Sequence, residues 1–239
     1  MWSRLAPLLR GDGKAKASAA RRLFSIRVGE PSSIQQLQMG KVGAVVVPVA
    51  AASYSKMPTT NWNPPPDTER MGTADLCDVY LPDPVDVTVP RQVKVATPGY
   101  FRDYGKKLRF HGPMATVLCF ENNPLVRAAL EEPGEGRVLV VDAGASKRCA
   151  VLGDNLAEMG AENGWAGIII NGCCRDSEDI GRMDIGVKAI GTHPLKSSKR
   201  DKGMRDVPVS FAGVEFKPGA FVYADGDGVL VSDTELTLT

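Results

Sequence analysis

Two short apolar runs constrain this fold more than any other feature of the chain: RVLVV at 137–141 and AGIIIN at 166–171. Between them, 155–163 has helical character, and Gly164 stands where a helix would close in the C′ position. Apolar strand, loop, helix, apolar strand is the pattern of a βαβ unit. Continuously apolar strands, rather than alternating ones, belong to a sheet covered on both faces.

Other segments extend this unit. TADLCDV at 73–79 reads as a short helix, with Thr73 as its N-cap and Asp75 in the first turn. Residues 107–110 and 114–120 read as strands around a Gly112-Pro113 turn, and 123–131 as a helix that stops before Pro133. Further strands are expected at 184–189, 207–211, around Val214 and Phe216, and at 221–225. The cluster Asp225-Gly226-Asp227-Gly228 reads as a hairpin turn before Val229-Leu230-Val231. The β-rich end makes the sheet mixed rather than purely doubly wound.

The N-terminus has a different texture. Its first 27 residues hold seven basic side chains (Arg4, Arg10, Lys14, Lys16, Arg21, Arg22 and Arg27) against one acid, Asp12. Trp2, Leu5, Leu8 and Leu9 can line one helix face. A basic, acid-poor, amphipathic start resembles an organelle transit peptide, and a disordered basic tail is the plainer alternative. Residues 28–71 lack periodicity and end in NWNPPPDTERM, so they read as a linker. The expected organisation is a transit peptide over 1–27, a flexible linker over 28–71 and one catalytic domain over 72–239. A mitochondrial address is expected, with plastid or cytoplasm as alternatives.

A net charge of +1 argues against a general nucleic-acid binder, although it leaves room for a local basic patch. The longest apolar stretch, 42–52, is too short to span a bilayer and is interrupted by Pro48, so no membrane span is expected. The five cysteines are scattered without a CxxC pair, and only two histidines accompany them. Buried, reduced thiols are expected, not a disulfide framework or a zinc site.

In an open α/β unit, ligands gather at the carboxyl ends of the strands. Two segments lie at such ends. The first continues from 142–146, DAGAS, to Gly153-Asp154-Asn155-Leu156 at a helix start. Free N–H groups there suit a carboxylate or phosphate, and Gly153 admits a ligand close to the backbone. Asp154 is also readable as a simple N-cap or first-turn acid. The second segment is Asn171-Gly172-Cys173-Cys174-Arg175-Asp176. Arg175 can fork a carboxylate or a developing enolate oxygen, and Asp176 can hold Mg²⁺. Taken alone, the pair is equally a loop ion pair. Asp142 is a candidate for orienting the site. His193 and His111 read first as structural residues, and Cys173 and Cys174 as packing residues.

Asp154 and Arg175 are separated by 20 residues, and Asp176 follows directly. This D-x20-R-D spacing resembles the signature of the RraA-like family, which includes regulators of ribonuclease E activity and 4-hydroxy-4-methyl-2-oxoglutarate aldolases. The likeness runs in order through TADLCDVY at 73–80, GPMATV at 112–117, GRVLVVDAG at 136–144, NGWAGIIING at 163–172, DIGVKAIGTHP at 184–194 and YADGDGVLVS at 223–232. The resemblance implies a compact swivelling ββα-type α/β domain assembled as a homotrimer or hexamer. It implies a divalent cation, Mg²⁺ or alternatively Mn²⁺, on Asp176, with Asp154 holding a metal-bound water. It gives Arg175 the oxo and carboxylate oxygens of a small 2-oxo acid, and the amides around Gly153, Asp154, Asn155 and Leu156 the substrate carboxylate. Some family members carry glycine at the Asp154 position and use acids after the R-D pair. Glu178 and Asp179 stand there in this chain, so it has acids in both places.

The expected function is therefore a metal-dependent carbon–carbon lyase releasing pyruvate by retro-aldol cleavage, with oxaloacetate decarboxylation as a side activity. The competing function is a protein-binding inhibitor of a ribonuclease E-type enzyme, which would need no metal-binding acids. A methyltransferase is a weaker third reading, because no glycine-rich cofactor fingerprint of strand–loop–helix form is present.

Overall fold

The computed structural model describes residues 72–81, 91–200 and 202–238. The expected transit peptide and linker lie outside the described residues. In chain order the elements are α1 (Thr73–Tyr80), β1 (Val93–Val95), β2 (Arg102–Asp103), β3 (Phe110–Cys119), α2 (Pro124–Leu130), β4 (Val138–Asp142), β5 (Ala150–Leu152) and α3 (Asp154–Glu162). They continue with β6 (Gly167–Cys174), α4 (Ser177–Ile180), β7 (Gly186–Thr192), β8 (Gly203–Arg205), β9 (Val209–Phe211), β10 (Val214–Phe216), β11 (Phe221–Ala224) and β12 (Val229–Ser232). No helix among the described residues is long and apolar enough to cross a membrane.

The apolar runs form the centre of the sheet. β3, β4, β6 and β7 pair in parallel, with Val138 opposite both Met114 and Gly167. Antiparallel strands flank them: β11, β12 and β1 continue beyond β3, and β2 caps β7. The sheet is thus mixed, as expected, and the fold is α/β.

Alternation along each central strand sends side chains to two cores. On one face Val117, Leu139, Val141, Ile168 and Ile170 meet Val126 and Leu130 of α2 and Leu156 and Ala157 of α3. On the other, Met114, Val138, Val140 and Ile169 meet Phe211, Val214 and Phe216 of the β9–β10 hairpin. Both faces are covered, which explains the absence of polar alternation in the sequence. The turn at 225–228 joins antiparallel β11 and β12, as expected.

The structure corrects three local expectations. Gly112-Pro113 is not a turn, because one strand, β3, runs straight through it. A Cβ at Gly112 would collide with the carbonyl oxygen of Gly136, so only glycine fits there. Met114 N–H points toward Ala220, and the missing N–H of Pro113 therefore faces the side where pairing with β4 begins only at Met114. Next, β6 extends past Asn171 to Cys174, which places Arg175 directly at the strand end.

The third correction concerns α1. Its N-cap is Gly72, not Thr73. The Thr73 N–H and hydroxyl instead donate to the two carboxylate oxygens of Asp225, at 2.7 Å each. Burial pushes the Asp225 carboxyl up, but hydrogen bonds from Thr73, Asp227 and Gly228 outweigh it and hold the pKa below its ordinary value. A carboxyl depressed in the folded state contributes stability above its unfolded pKa and loses it as pH falls through the folded one. Thr73→Val is accordingly expected to cost about 1–3 kcal/mol at neutral pH, the range for a hydrogen bond to a charged group. Urea unfolding should show the gap to wild type narrowing in acid below the usual carboxylate range. A gap independent of pH would contradict the pairing.

Candidate active site

Parallel pairing of β5 with β6 builds the site. Leu152 lies opposite Cys174, and Arg175 N–H donates to the Leu152 carbonyl at 3.0 Å. The next residue on one strand, Gly153, is therefore brought beside the next on the other, Arg175. Gly153 caps α3 and Asp154 opens it. Asp176 sits at φ 55°, ψ 38°, in the left-handed region, and caps α4. That conformation is uncommon outside glycine, asparagine and aspartate. Its carboxylate oxygen Oδ2 lies 3.1 Å from Arg175 Nε and 3.5 Å from the Asp154 amide nitrogen.

The close approach depends on Gly153. A Cβ there would stand 2.9 Å from Asp176 Oδ2 and 3.1 Å from Arg175 Nε. Gly153 has an extended backbone (φ −130°), so the requirement is for space and not for left-handed geometry. The structure thus gathers Gly153, Asp154, Arg175 and Asp176 in one place, although they lie on two separate segments. The side chains of Arg175 and Asp176 are about one-third exposed, open enough for a ligand to reach.

Local hydrogen bonds shape the rest of the loop. Asp154 Oδ1 accepts from both the backbone N–H and the Nδ2 of Asn155, at 2.7 Å each. These bonds, then the nearby Asp176 and Arg175, hold the Asp154 carboxyl below its usual range. Leu156 N–H donates to the Gly153 carbonyl at 3.2 Å. The amides of Asn155 and Leu156 are therefore engaged within the loop, and an incoming carboxylate would compete with the Asp154 side chain for the first. Asp179, one of the acids after the R-D pair, is held by Arg182 at 2.7 Å, while Glu178 is exposed on α4.

The remaining candidates fall around this centre. His193 N–H donates to the Cys174 carbonyl at 2.9 Å, so the residue lies at the neighbouring strand end. Its Nδ1 accepts from Leu195 N–H at 3.1 Å, a bond that shapes the loop. His111 stacks on Tyr223 in the interior, where burial lowers its pKa. Cys174 is fully buried and its thiol is pushed up to about 12 by burial, so it packs and does not ionise. Asp142 Oδ1 accepts from Asn171 Nδ2 at 2.8 Å and from Gly144 N–H at 2.9 Å. Asn171 Oδ1 in turn accepts from the Tyr100 hydroxyl at 2.8 Å. Tyr100 carries no signal in the sequence, because its partner lies 71 residues away.

A hard divalent cation fits this donor set. Mg²⁺ takes oxygen ligands and retains waters, so one or two carboxylates suffice to hold it. Asp176 offers Oδ1 beside the oxygen that faces Arg175, and Asp154 lies alongside. No group of three or more His, Cys, Asp or Glu among the described residues is disposed to cage a metal. Such an ion would therefore rest on few protein ligands and keep positions for water and substrate oxygens.

Comparison with known proteins agrees with this layout. The family model for RraA-like proteins, described as Aldolase/RraA, matches residues 73–231. A relative from Alkalilimnicola ehrlichii is 52% identical over 164 residues, covering 69% of this chain and 96% of its own length. One from Halorhodospira halophila is 52% identical over 166 residues, covering 70% and 98%. Both are provisionally named 4-hydroxy-4-methyl-2-oxoglutarate aldolases. Among solved structures, a Geobacillus kaustophilus protein described as an S-adenosylmethionine:2-dimethylmenaquinone methyltransferase is 52% identical, with a TM-score of 0.63 over 70% of this chain and 97% of that one. The RNA-processing inhibitor RraA from Thermus thermophilis is 42% identical, with a TM-score of 0.63 over 70% and 94%. From the ordered motifs, the mixed sheet and these matches, the chain belongs to the RraA-like family.

Proposed function

We propose that this protein is a divalent-metal-dependent lyase that cleaves 4-hydroxy-4-methyl-2-oxoglutarate-type 2-oxo acids to pyruvate, with oxaloacetate decarboxylation as a side activity. The observation that carries the reading is the convergence of Arg175, Asp176 and Asp154 around the side-chain-free Gly153. The names of the relatives support it.

In the retro-aldol direction the 4-hydroxyl gives up its proton and the C3–C4 bond breaks. The electron pair moves onto C3 and into the 2-oxo oxygen as an enolate, and protonation at C3 yields pyruvate. In oxaloacetate the same electron flow follows loss of carbon dioxide, so one charge-stabilising site serves both reactions. Arg175 presents a fixed guanidinium to the developing enolate oxygen. Asp176 would hold Mg²⁺ or Mn²⁺, and Asp154 would orient its water. When bound, the cation supplies Lewis-acid stabilisation of the enolate charge. No lysine Schiff base is required. Assembly as a homotrimer or hexamer belongs to the same reading.

The test is pyruvate release by the full chain from both substrates. Activity should vanish with a chelator and return with Mg²⁺ or Mn²⁺. Absence of pyruvate from either substrate under saturating metal would overturn the reading. Likeness to the RNA-processing inhibitor favours a second reading, regulation of a ribonuclease. Under it, an Asp176 variant would still inhibit.

Gly153→Ala probes the close approach. The added methyl must push away Asp176 or Arg175, and misplacement by about 1 Å can cost about 100-fold in rate. A fall of that order in kcat/KM is expected, with little change in melting temperature because the backbone there suits alanine. Unchanged kinetics would show that the two side chains can yield without loss of function.

A further inference from the structure

A second concave surface lies at the carboxyl end of β3, away from Asp154, Arg175 and Asp176. It is a groove of about 820 Å³ between the segment after β3, the start of β5 and the loop before β8. Arg148, Lys196, Arg200 and Lys202 line it, and Glu121 is the only acid among its described lining residues. Glu121 is spent on its neighbours. It accepts from Arg148 Nε at 2.6 Å, Arg148 NH2 at 2.7 Å and the Ser146 hydroxyl at 2.8 Å, and these bonds push its pKa down to about 2. No ion pair among the described residues engages Lys196, Arg200 or Lys202. The chain is almost neutral overall, so this concentration of positive charge is local.

Two further observations define what would fit. Phe120 lines the groove with 58% of its surface exposed, beside Leu195 at 60%. Aromatic rings are rarely left so open without a partner to stack on them. Asn122 also lines the groove, is only 3% exposed, and donates from Nδ2 to the Phe120 carbonyl at 3.0 Å. Its Oδ1 has no hydrogen-bond partner. A buried acceptor of this kind calls for a donor from outside the protein.

We propose that this groove binds a nucleoside di- or triphosphate. The phosphates meet Lys196, Arg200 and Lys202. The base stacks on Phe120, as bases do on exposed aromatic platforms in basic grooves. A base amino or ribose hydroxyl group supplies the donor for Asn122 Oδ1. The groove size falls within the range of small-ligand pockets. This site is additional to the proposed lyase centre and does not depend on it.

The experiment is equilibrium binding of ATP and ADP to the full chain by calorimetry, with adenosine and inorganic pyrophosphate as separate arms. Binding of ATP is expected to weaken as salt rises and to weaken at least about tenfold in an Arg200→Ala/Lys202→Ala variant, which removes two of the three unpaired cations. Phe120→Ala should weaken ATP but leave pyrophosphate unchanged, and adenosine alone should bind poorly. These side chains are exposed, so the variants are expected to fold normally. Asp176→Asn should bind ATP as wild type does. Failure of the wild-type chain to bind ATP at millimolar concentration would overturn the proposal. So would binding indifferent to these variants, or binding lost in Asp176→Asn, which would place the nucleotide at the other centre. Dissociation of an oligomer by Phe120→Ala, with no nucleotide bound by wild type, would assign the groove to a second copy of the chain and likewise overturn it.

Discussion

An Asp176→Ala variant is expected to lose pyruvate release by about 1000-fold, equivalent to about 4 kcal/mol of barrier, the scale of a lost Lewis-acid contribution. The carboxylate stands directly after the β6 strand end and faces Gly153 across a gap that no other side chain fills. Alanine removes the anion but also meets a backbone problem. Residue 176 is left-handed, a conformation that costs a non-glycine residue about 1–2 kcal/mol unless, like Asp or Asn, it can bond locally. Some loss of stability is therefore expected from Asp176→Ala alone. Asp176→Asn separates the two effects, because asparagine tolerates the conformation and keeps the shape while losing the charge. Both variants should lose activity, and only the alanine should lower the melting temperature. Near-normal turnover by a folded Asp176→Asn protein in saturating Mg²⁺ would remove Asp176 from the site.

Much of this architecture is legible in the sequence, for a physical reason. The runs at 137–141 and 166–171 lie at the centre of a sheet covered on both faces, so burial forces every position to be apolar. The strands that escaped the sequence reading are β1, β2, β5 and β8, each two or three residues long. At that length, periodicity carries no signal. β5 is the costly omission, because its pairing with β6 is what sets Gly153 against Arg175. The spacing of Asp154, Arg175 and Asp176 could be read from the chain. The left-handed turn at Asp176 could not, nor could the bonds that tie up the Asn155 amide. Thr73 shows the same limit. Its sequence neighbours make it a plausible cap, but a carboxylate 152 residues away claims both its donors.

Arg175 supports the other large prediction. Its Nε is occupied by Asp176 at 3.1 Å, which fixes the orientation of the guanidinium, and its side chain is about one-third exposed. If the outward part of the planar fork meets the oxygens of the substrate, the same contact stabilises the enolate in retro-aldol cleavage and in decarboxylation. Arg175→Lys keeps a positive charge but has one nitrogen where the fork has three. That nitrogen cannot both pair with Asp176 and reach the substrate in the geometry of the wild type. Both activities should therefore fall together, by about 2–4 kcal/mol of transition-state stabilisation, the scale of a lost oxyanion donor. Arg175→Ala should fall at least as far. Affinity for Mg²⁺ should change less in either variant, because a guanidinium does not ligate a cation. Freeing Asp176 from its ion pair should leave its carboxylate more available to the metal, so metal binding may be measured separately from turnover as a check on direction. Comparing kcat/KM for both substrates in both variants decides the matter. Loss of one activity alone would mean that the two reactions do not share this contact, and loss of neither would leave Arg175 as the partner that orients Asp176.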